Sequence, residues 1–293
     1  MLGLEIDMKI YDRKTGEYTE ITQYGQGALK FLYGNFLGRV LLKLAVSPLV
    51  SRIYGKLNDS KKSAEKIPGF IEKNGICMED FEDRKYFSFN DFFTRKLRRG
   101  ARIIDKEKDT LISPADAKLL VYPVKDRARV KVKGRGYSIS ELTGGKIDTS
   151  SYAGGVCLVY RLCMDDYHRY CFIDDGYMKK SYVIKGRLHT VSPLSKDYKI
   201  YKENYRAVSI LETKGFGEVI HIEVGALLVG KIKNKKLSCF LRGEEKGYFE
   251  PGGSTIIEIF KKDVVKIDED ILAQSKRHIE TKVLYGEGVG RKC

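Results

Sequence analysis

Hydrophobic and polar positions divide the chain into two parts with different patterns. Residues 28–57 are mostly apolar, are broken by Gly34, Gly38 and Pro48, and contain no acidic side chain. The uncharged runs within them fall well short of the roughly 20 residues that a membrane-spanning helix needs. The pattern predicts a pair of amphipathic helices. Two interpretations stay open at this point, a helix pair lying in a membrane interface and an ordinary buried helical hairpin.

Basic side chains supply all the charge in that segment. They are Lys30, Arg39, Lys43, Arg52 and Lys56. Each lysine or arginine near an anionic leaflet contributes about 1 kcal/mol of attraction, so together they could hold a peripheral protein in place. The segment is therefore a candidate membrane-associating surface.

Short apolar runs separated by glycine, aspartate and lysine dominate the chain after Arg102. They predict strands at 110–112, 118–123, 129–133, 156–162, 181–184, 207–213, 218–224, 226–232 and 256–260. So many strands with little helix between them are typical of an antiparallel sheet. The predicted fold class is α+β, with a helical N-terminal part, 1–100, followed by a mainly antiparallel sandwich or barrel-like catalytic domain, 101–293.

The N-terminal part contains three further predicted features. A short hairpin is expected at 8–19, and a polar helical stretch at 58–84. A short helix within 87–97 would be capped by Asn90 or Asp91, with its aromatic side chains packed inward.

Net charge adds a prediction about partners. The 293 residues include 54 basic and 39 acidic side chains, which gives a net charge of +15. Such an excess favours a polyanionic partner, either a nucleic acid or an anionic membrane surface. Nothing in the sequence resembles a zinc finger, a basic zipper or an RNA-recognition motif, so we expect no nucleic-acid partner.

Cysteine and histidine spacing predicts no metal site. The six cysteines show no Cys-x-x-Cys pair, and the four histidines lack ligand spacing. No cleavable signal peptide opens the chain, because Asp7, Lys9, Asp12 and Arg13 interrupt any apolar run. We therefore expect reduced cysteines and a location on the cytoplasmic side.

A candidate nucleophile lies near the C-terminus, where a Gly-Gly turn leads through Ser254 into an apolar, β-branched strand. Gly253 has no Cβ, so its carbonyl can be approached closely. The Ser254 hydroxyl could attack that carbonyl if a base removed its proton and donors held the oxyanion. Taken alone, however, the stretch is typical of an ordinary hairpin turn.

Two other turns carry side chains that could activate a serine. Asp116 lies between two predicted strands, and His168 follows a strong predicted strand among acids, a cation and aromatics. Each is also typical of an ordinary surface turn. An acid, a histidine and a serine together suggest nucleophile activation, although the Gly-x-Ser-x-Gly elbow of a serine hydrolase is absent from the sequence.

Five motifs occur together along the chain. They are Ser88-Phe89-Asn90-Asp91-Phe92-Phe93-Thr94-Arg95-Lys96-Leu97, Pro114-Ala115-Asp116, Tyr167-His168-Arg169, Val224-Gly225-Ala226 with Val229-Gly230, and Gly253-Ser254-Thr255. Their order and approximate spacing resemble those of the phosphatidylserine decarboxylases, most of all the bacterial branch. The resemblance runs through nearly the whole chain.

The resemblance implies a proenzyme that cuts itself between Gly253 and Ser254. The Ser254 hydroxyl, deprotonated by a histidine that Asp116 orients, would attack the Gly253 carbonyl and turn the amide into an ester. Elimination and hydrolysis would leave a covalent pyruvoyl group on the new N-terminus, with residues 1–253 and 254–293 held together as β and α chains. Its carbonyl would form a Schiff base with the amine of phosphatidylserine, which would leave as phosphatidylethanolamine and CO2.

One departure from the family pattern concerns the base. Many members carry a second histidine three residues after the first, where this chain has Cys171. We therefore expect His168 to act as the base, with His189 as second choice and His221 as a further substitute. The resemblance also implies a peripheral protein at the cytoplasmic face of the cell membrane, and it leaves the oligomeric state open, including a homo-oligomer.

Two other functions stay open from the sequence. The first is a pyruvoyl-dependent decarboxylase of another serine lipid or of a small amino acid. The second is a non-enzymatic basic protein that binds membranes or nucleic acid and in which Ser254 is only a turn residue.

Overall fold

The computed structural model describes residues 8–21, 26–190, 198–227, 231–251 and 254–293. The helices, numbered in chain order, are α1 Gln26–Gly34, α2 Phe36–Ala45, α3 Pro48–Asn58, α4 Ile67–Asn74, α5 Phe89–Phe93, α6 Ile139–Thr143, α7 Ile200–Glu203 and α8 Glu269–Lys276. The strands are β1 Met8–Asp12, β2 Glu17–Ile21, β3 Thr110–Ile112, β4 Ala117–Pro123, β5 Arg129–Val132, β6 Arg135–Ser138, β7 Val156–Leu162, β8 Arg169–Cys171, β9 Gly176–Ile184, β10 Arg206–Thr213, β11 Gly217–Val224, β12 Ile232–Asn234, β13 Cys239–Phe240, β14 Glu245–Phe249, β15 Ser254–Phe260, β16 Val265–Ile267, β17 Glu280–Val283 and β18 Gly288–Lys292.

One large open sheet organises the molecule, in the strand order β13-β9-β10-β11-β15-β7-β4-β17-β1-β2. Its pairs are antiparallel except for the parallel pair of β1 and β17. The central strands are rich in Ile, Val and Leu and are buried on both faces. This architecture confirms the α+β class and the mainly antiparallel sheet. The sheet is not closed into a barrel.

Smaller elements pack against the large sheet. The three-stranded sheet β12-β14-β8 lies against β11, since Lys246 of β14 contacts Glu223 of β11. Helix α8 packs against β4 and β17. Two more small sheets, β16-β18-β3 and β5-β6, complete the β structure of the described residues.

The predicted N-terminal hairpin is confirmed as β1 and β2. Its turn closes with a hydrogen bond from Gly16 N to the Asp12 carbonyl at 2.8 Å, and Gly16 has a φ of +74°, which favours glycine. The hairpin extends the large sheet, because Ile10 lies opposite Glu280 of β17. The first strands are thus part of the C-terminal β structure, and the domain boundary near residue 100 stays a prediction.

Three helices, rather than the predicted pair, form residues 26–58. Asn35 caps α2 by accepting a hydrogen bond from Gly38 N at 2.7 Å. Ser47 caps α3, whose first turn begins with Pro48. At the first position of a helix, the backbone N–H that proline lacks would have no partner within the helix. Proline is therefore tolerated there, and Pro48 begins α3 instead of only ending the preceding helix.

The short helix in 87–97 is confirmed as α5, but its cap differs from the prediction. Ser88 is the cap, and its hydroxyl accepts a hydrogen bond from Asp91 N at 3.1 Å. Serine caps the free N–H groups of a first helical turn as well as asparagine or aspartate does. The sequence pattern alone therefore does not show which of the three residues is the cap. The aromatic side chains of α5 are buried as expected, and Phe89 and Phe92 pack on Phe70.

Most predicted strands in the β-rich part are confirmed, among them β3, β4, β5, β7, β10, β11 and β15. The predicted strand at 226–232 is wrong over most of its described residues, because β11 ends at Val224 and, of the described residues in this range, only Ile232 lies in a strand, where it begins β12. The physical reason lies at Gly225. Its carbonyl accepts a hydrogen bond from the Asn204 side chain, Nδ2, at 2.7 Å instead of one from a neighbouring strand. Residues 228–230 lie outside the described part of the chain.

Candidate active site

Ser254 is the first residue of β15, at one end of the large sheet. It lies opposite Leu162, the last residue of β7, and its side chain is fully buried. Its hydroxyl has no hydrogen-bond partner among the residues that the structure describes. Buried polar atoms almost always have partners, and exceptions are often reactive groups. The predicted cleavage partner, Gly253, lies outside the described residues.

Asp116 lies at the same end of the sheet, one residue before β4. Strands β4, β7 and β15 are neighbours, and Lys118, Arg161 and Thr255 occupy one level across them. Asp116 and Ser254 are therefore at nearly the same level and two strand spacings apart, which corresponds to about 10 Å. The sheet register thus brings the predicted acid and the predicted nucleophile to one edge.

The carboxylate of Asp116 is buried and accepts hydrogen bonds from two groups. Arg102 donates from Nη2 at 2.7 Å and from Nε at 3.1 Å, and the backbone N–H of Tyr285 donates at 2.7 Å. Arg102 also binds Asp80 at 2.8 Å. Asp116 therefore contacts a cation and a backbone group, and its expected role of orienting a histidine stays a prediction.

His168 reaches the same end of the sheet through the loop that follows β7. Its backbone carbonyl accepts a hydrogen bond from Phe249 N at 3.0 Å, and Phe249 is the last residue of β14, the strand before Ser254. The imidazole is fully buried, with Nδ1 2.8 Å from the carbonyl oxygen of Asp166. A carbonyl oxygen only accepts, so Nδ1 carries the proton and Nε2 is the basic nitrogen of the neutral ring.

Residues of the aromatic motif around α5 support His168. The Phe93 ring packs on the imidazole with ring centroids 4.3 Å apart. Arg169, the next residue after the histidine, donates to the Thr94 carbonyl at 2.7 Å and forms an ion pair with Glu245 at 2.9 Å. The motif whose aromatic side chains were expected to pack inward therefore also contacts the loop that carries His168.

A buried ion pair fixes the start of that loop. Lys118 Nζ lies 2.6 Å from Asp166, and Asp166 also accepts the backbone N–H of Cys163 at 2.6 Å. Burial raises the pKa of Asp166 to about 6 even though Lys118 lowers it. Cys163, Asp165 and Asp166 have potential ligand atoms within 4.8 Å of one another, but the Lys118 ammonium already supplies the positive charge there.

Cys171, which stands where many family members have a second histidine, and the other two candidate histidines lie in different surroundings. Cys171 is buried, and burial raises the pKa of its thiol, which disfavours a basic thiolate. His189 is also buried, stacks on Tyr198 at 4.4 Å and lies 3.3 Å from the Tyr33 hydroxyl through Nδ1. Burial lowers the pKa of His189. His221 lies on β11 and contacts Glu258 at 3.0 Å.

Sequence reasoning missed several buried charged residues near this edge. Lys118, Arg161, Glu223 and Glu258 are all almost completely buried within strands of the large sheet. A signal for them exists in the sequence, because each interrupts an otherwise apolar, β-branched run. A charged residue in such a run predicts a buried partner, since an unpaired charge would be too costly there.

The candidate membrane-associating segment exposes a large apolar surface on α1 to α3. Its exposed apolar side chains are Phe31, Phe36, Leu37, Val40, Leu41, Leu44, Leu49, Val50, Ile53 and Leu57. Arg39, Lys43, Arg52 and Lys56 are exposed on the same helices, and Lys30 is half-buried. Within the described residues, no helix combines the length and the apolar character needed to cross a bilayer.

A cavity of about 930 Å³ lies away from these residues. Its lining includes Tyr122, Pro123, Leu272 and Glu280, at the far end of β4 and beside α8. Pro123 lies six positions after Ala117, which is at the Ser254 end of β4, and this separation corresponds to about 20 Å. The cavity is therefore not part of the candidate active site.

A family model and several curated relatives that match this chain carry the same family description. A family model described as phosphatidylserine decarboxylase matches residues 89–291. Phosphatidylserine decarboxylase proenzyme 2 of Clostridium acetobutylicum is 51% identical over 287 residues, which cover 97% of this chain and 99% of the relative. Phosphatidylserine decarboxylase proenzymes of Clostridium botulinum (strain Alaska E43 / Type E3) and Ruminiclostridium cellulolyticum are 41% and 42% identical, over 97% of this chain and 99% and 97% of the relatives.

Proposed function

The chain belongs to the phosphatidylserine decarboxylase family, and we propose that it converts phosphatidylserine to phosphatidylethanolamine with a pyruvoyl group made from its own Ser254. The observation that carries the proposal is the position of Ser254. Its buried hydroxyl, which has no hydrogen-bond partner within the described part of the chain, opens β15 at the sheet end where Asp116 and His168 also lie. Relatives that are named proenzymes are consistent with self-processing.

Self-cleavage would use groups of this chain alone. His168, with its Nδ1–H held by the Asp166 carbonyl, presents Nε2 as the nitrogen that takes the proton from the Ser254 hydroxyl. The hydroxyl oxygen attacks the Gly253 carbonyl carbon, and protonated His168 gives its proton to the Ser254 nitrogen as the Gly253–Ser254 C–N bond breaks. An ester then links the two residues, and residue 254 carries a free amine. Loss of the Ser254 α-proton with departure of the Gly253 carboxylate leaves dehydroalanine, and water then replaces its nitrogen, which leaves as ammonia.

The surroundings of residue 254 fit a pyruvoyl group. Conversion removes the buried hydroxyl that has no partner among the described residues, so it removes a polar atom that is costly to bury. A pyruvoyl group at residue 254 would supply an electron-withdrawing carbonyl that could react with the substrate amine and accept electrons as CO2 leaves. We expect Nε2 of His168 to return a proton to the substrate α-carbon.

Strand pairing explains how the two products of cleavage would stay together. In the segment 254–293, β15 lies between β11 and β7, and β17 lies between β1 and β4. Arg13, on the first hairpin, adds ion pairs to Asp268 and Asp270, both at 2.9 Å. Cutting one bond therefore leaves the α chain paired with the β chain on several sides.

The exposed apolar helices support a peripheral location on an anionic membrane. Phe36 is 81% exposed, Leu37 69% and Leu44 66%, values that are unusual for large apolar side chains that form one surface. Basic side chains on the same helices would meet anionic headgroups. We propose that α2 and α3 lie in the membrane interface at its cytoplasmic side, which would bring a lipid headgroup to the enzyme.

Intact-mass measurement of the purified protein tests the proposal. We expect two chains that end at Gly253 and begin at residue 254, with a pyruvoyl group in place of the serine at the start of the second. The Ser254→Ala variant should remain one chain and release no phosphatidylethanolamine from phosphatidylserine vesicles. Ser209→Ala is the matched control, because Ser209 is another buried serine of the large sheet.

The outcomes separate the possible failures. An active wild-type protein that remains a single chain with an unmodified serine would overturn the pyruvoyl proposal. A cut protein that decarboxylates free serine but not phosphatidylserine would refute the lipid substrate.

A further inference from the structure

Four ionisable side chains form a buried row on the face of the large sheet that carries Ser254. They are His221 and Glu223 of β11, Glu258 of β15 and Lys246 of β14, each at most 1% exposed. Side chains alternate along a strand, so Ser254 and Glu258 of β15 share one face. Glu223 lies opposite Ile256 and His221 opposite Glu258, which places both on that face.

Direct contacts join the row from end to end. Lys246 forms an ion pair with Glu223. Glu223 lies 3.3 Å from Nε2 of His221, whose Nδ1 lies 3.0 Å from Glu258. The row therefore starts on β14, crosses β11 and ends on β15. These first and last strands are the two that flank the Gly253–Ser254 bond.

A β-bulge turns Lys246 toward the large sheet. Glu245 pairs with Cys171 and Gly247 with Tyr170, so Lys246 is the extra residue of β14. Bulges re-aim a side chain and are frequent beside active sites. The next residue must be small, because a Cβ on Gly247 would lie 2.2 Å from the Lys233 carbonyl oxygen.

The same small sheet carries the candidate base. Strand β8 begins directly after His168 and pairs with β14, and Phe249 N of β14 bonds the His168 carbonyl. Lys246 thus attaches the sheet that bears His168 to β11, and β11 is the hydrogen-bonded neighbour of β15.

Stability alone does not explain a buried ion pair. Replacing such a pair by apolar residues of similar volume is often neutral or stabilising, because both charges must lose their water. A buried ion pair instead fixes the relative position of the two elements that carry it. Charged hydrogen bonds are directional, whereas apolar side chains can shift against each other at little cost. Here the geometry that is fixed is the approach of one sheet to the other beside the bond to be cut.

We propose that Lys246 and Glu223 are positioning residues for self-cleavage, which hold His168 at the distance and angle from Ser254 that the attack on Gly253 requires. The inference rests on the proposed self-processing. It assigns no contact with the substrate to either residue. The pair acts through β14 and β8 on one side and through β11 and β15 on the other.

Cleavage during cell-free synthesis tests the inference. Newly made chains are chased over time, and gel separation of residues 1–253 from the full chain gives the rate of cutting. The variant Lys246→Met/Glu223→Leu removes both charges and keeps similar side-chain volumes. Lys235→Met is the control, because Lys235 is exposed and its ion pair with Glu245 of the same small sheet, at 3.4 Å, lies near the surface.

We expect the double variant to fold and to cut itself at least about 10-fold more slowly, while the control cuts at the wild-type rate. A misplacement of about 1 Å can slow a reaction by roughly 10²-fold, so a smaller shift accounts for the expected effect. Hydroxylamine, which cleaves esters and not amides, should release little additional fragment from the double variant because the impaired step precedes ester formation. A merely structural role would change the melting temperature and leave the cutting rate of folded chains unchanged.

A folded double variant that cuts at the wild-type rate would overturn the inference. If the double variant does not fold, Lys246→Arg decides, because it keeps the charge and changes the reach. A folded Lys246→Arg chain should cut itself more slowly than the wild-type chain and faster than a Lys246→Met chain. Equal cutting rates for Lys246→Arg and the wild type would contradict the positioning role of Lys246. A wild-type chain that is never cut would instead refute the proposed self-processing.

Discussion

Nδ1 of His168 lies 2.8 Å from the backbone carbonyl oxygen of Asp166. This contact fixes the neutral ring with its proton on Nδ1 and leaves Nε2 as the base. The orienting group is a backbone carbonyl, and it is itself held because the Asp166 side chain is bound by Lys118. Orientation of the candidate base therefore does not require a carboxylate in contact with the ring.

His168→Gln should slow self-cleavage by about 10² to 10⁴-fold, because glutamine can hydrogen-bond but cannot take the serine proton. The measurement is the fraction of cut chain over time on a denaturing gel. His189→Gln tests the second candidate base, and His278→Asn is a control at an exposed position. Normal cutting of His168→Gln together with blocked cutting of His189→Gln would assign the role to His189.

Asp116→Asn should both slow cutting and loosen the contact between the two products. The Asp116 carboxylate joins Arg102 to the backbone of Tyr285, and asparagine keeps one acceptor but loses the charge. We expect a loss of about 1–3 kcal/mol in the free energy of unfolding. Asp80→Asn is the control, because Asp80 binds the same Arg102 from a more exposed position.

Lys118→Met should destabilise the uncut chain by about 3–5 kcal/mol, because it leaves the buried Asp166 without its cation. Denaturant unfolding in a Ser254→Ala background measures this without interference from cutting. Lys179→Met is the matched control, since Lys179 also pairs with carboxylates but on the surface, and should cost less than about 1 kcal/mol. Equal losses for the two variants would show that burial of the Lys118 pair is not important.

Acid should weaken the contribution of Glu223 in a defined pH range. Burial would raise the pKa of Glu223, but Lys246 and His221 outweigh it and hold the pKa at about 2. The folded-state pKa is below the unfolded value of about 4.3, so the stabilisation is present above about pH 4.3 and is lost as the pH falls toward about 2.

The stability difference between the wild-type residue and Glu223→Gln, both in the Ser254→Ala background, should therefore shrink on acidification. Between about pH 6 and about pH 3.5 we expect the difference to fall by about 1 kcal/mol in denaturant unfolding. A difference that stays constant or grows over this range would contradict the depressed pKa.

Periodicity and composition in the sequence were enough to predict the α+β class, most central strands and the position of Ser254 where a turn leads into a strand. Local patterns could not predict that β1 would pair with β17, because that contact joins residues about 270 positions apart in the chain. The helix cap at Ser88 was missed because several nearby side chains could serve equally well.

The candidate site was predictable only in part, for a related reason. Ser254, Asp116 and His168 stand in recognisable motifs, whereas the groups that hold them, such as Lys118 and Glu223, come from strands that meet only after folding. Their signal in the sequence is a charge inside an apolar strand. That signal predicts burial with a partner but does not identify the partner.

Membrane binding should depend on the apolar surface of α2 more than on an equally exposed apolar residue elsewhere. Leu44 is 66% exposed on α2, and Leu241 is 64% exposed between β13 and β14, so the two positions are matched in exposure. Leu44→Asp should weaken binding to anionic phospholipid vesicles by about 10- to 100-fold, because loss of one buried leucine costs about 1.5–3 kcal/mol. Leu241→Asp should bind as the wild-type protein does. Vesicle flotation measures both, and equal binding by all three proteins would place the membrane contact on another surface.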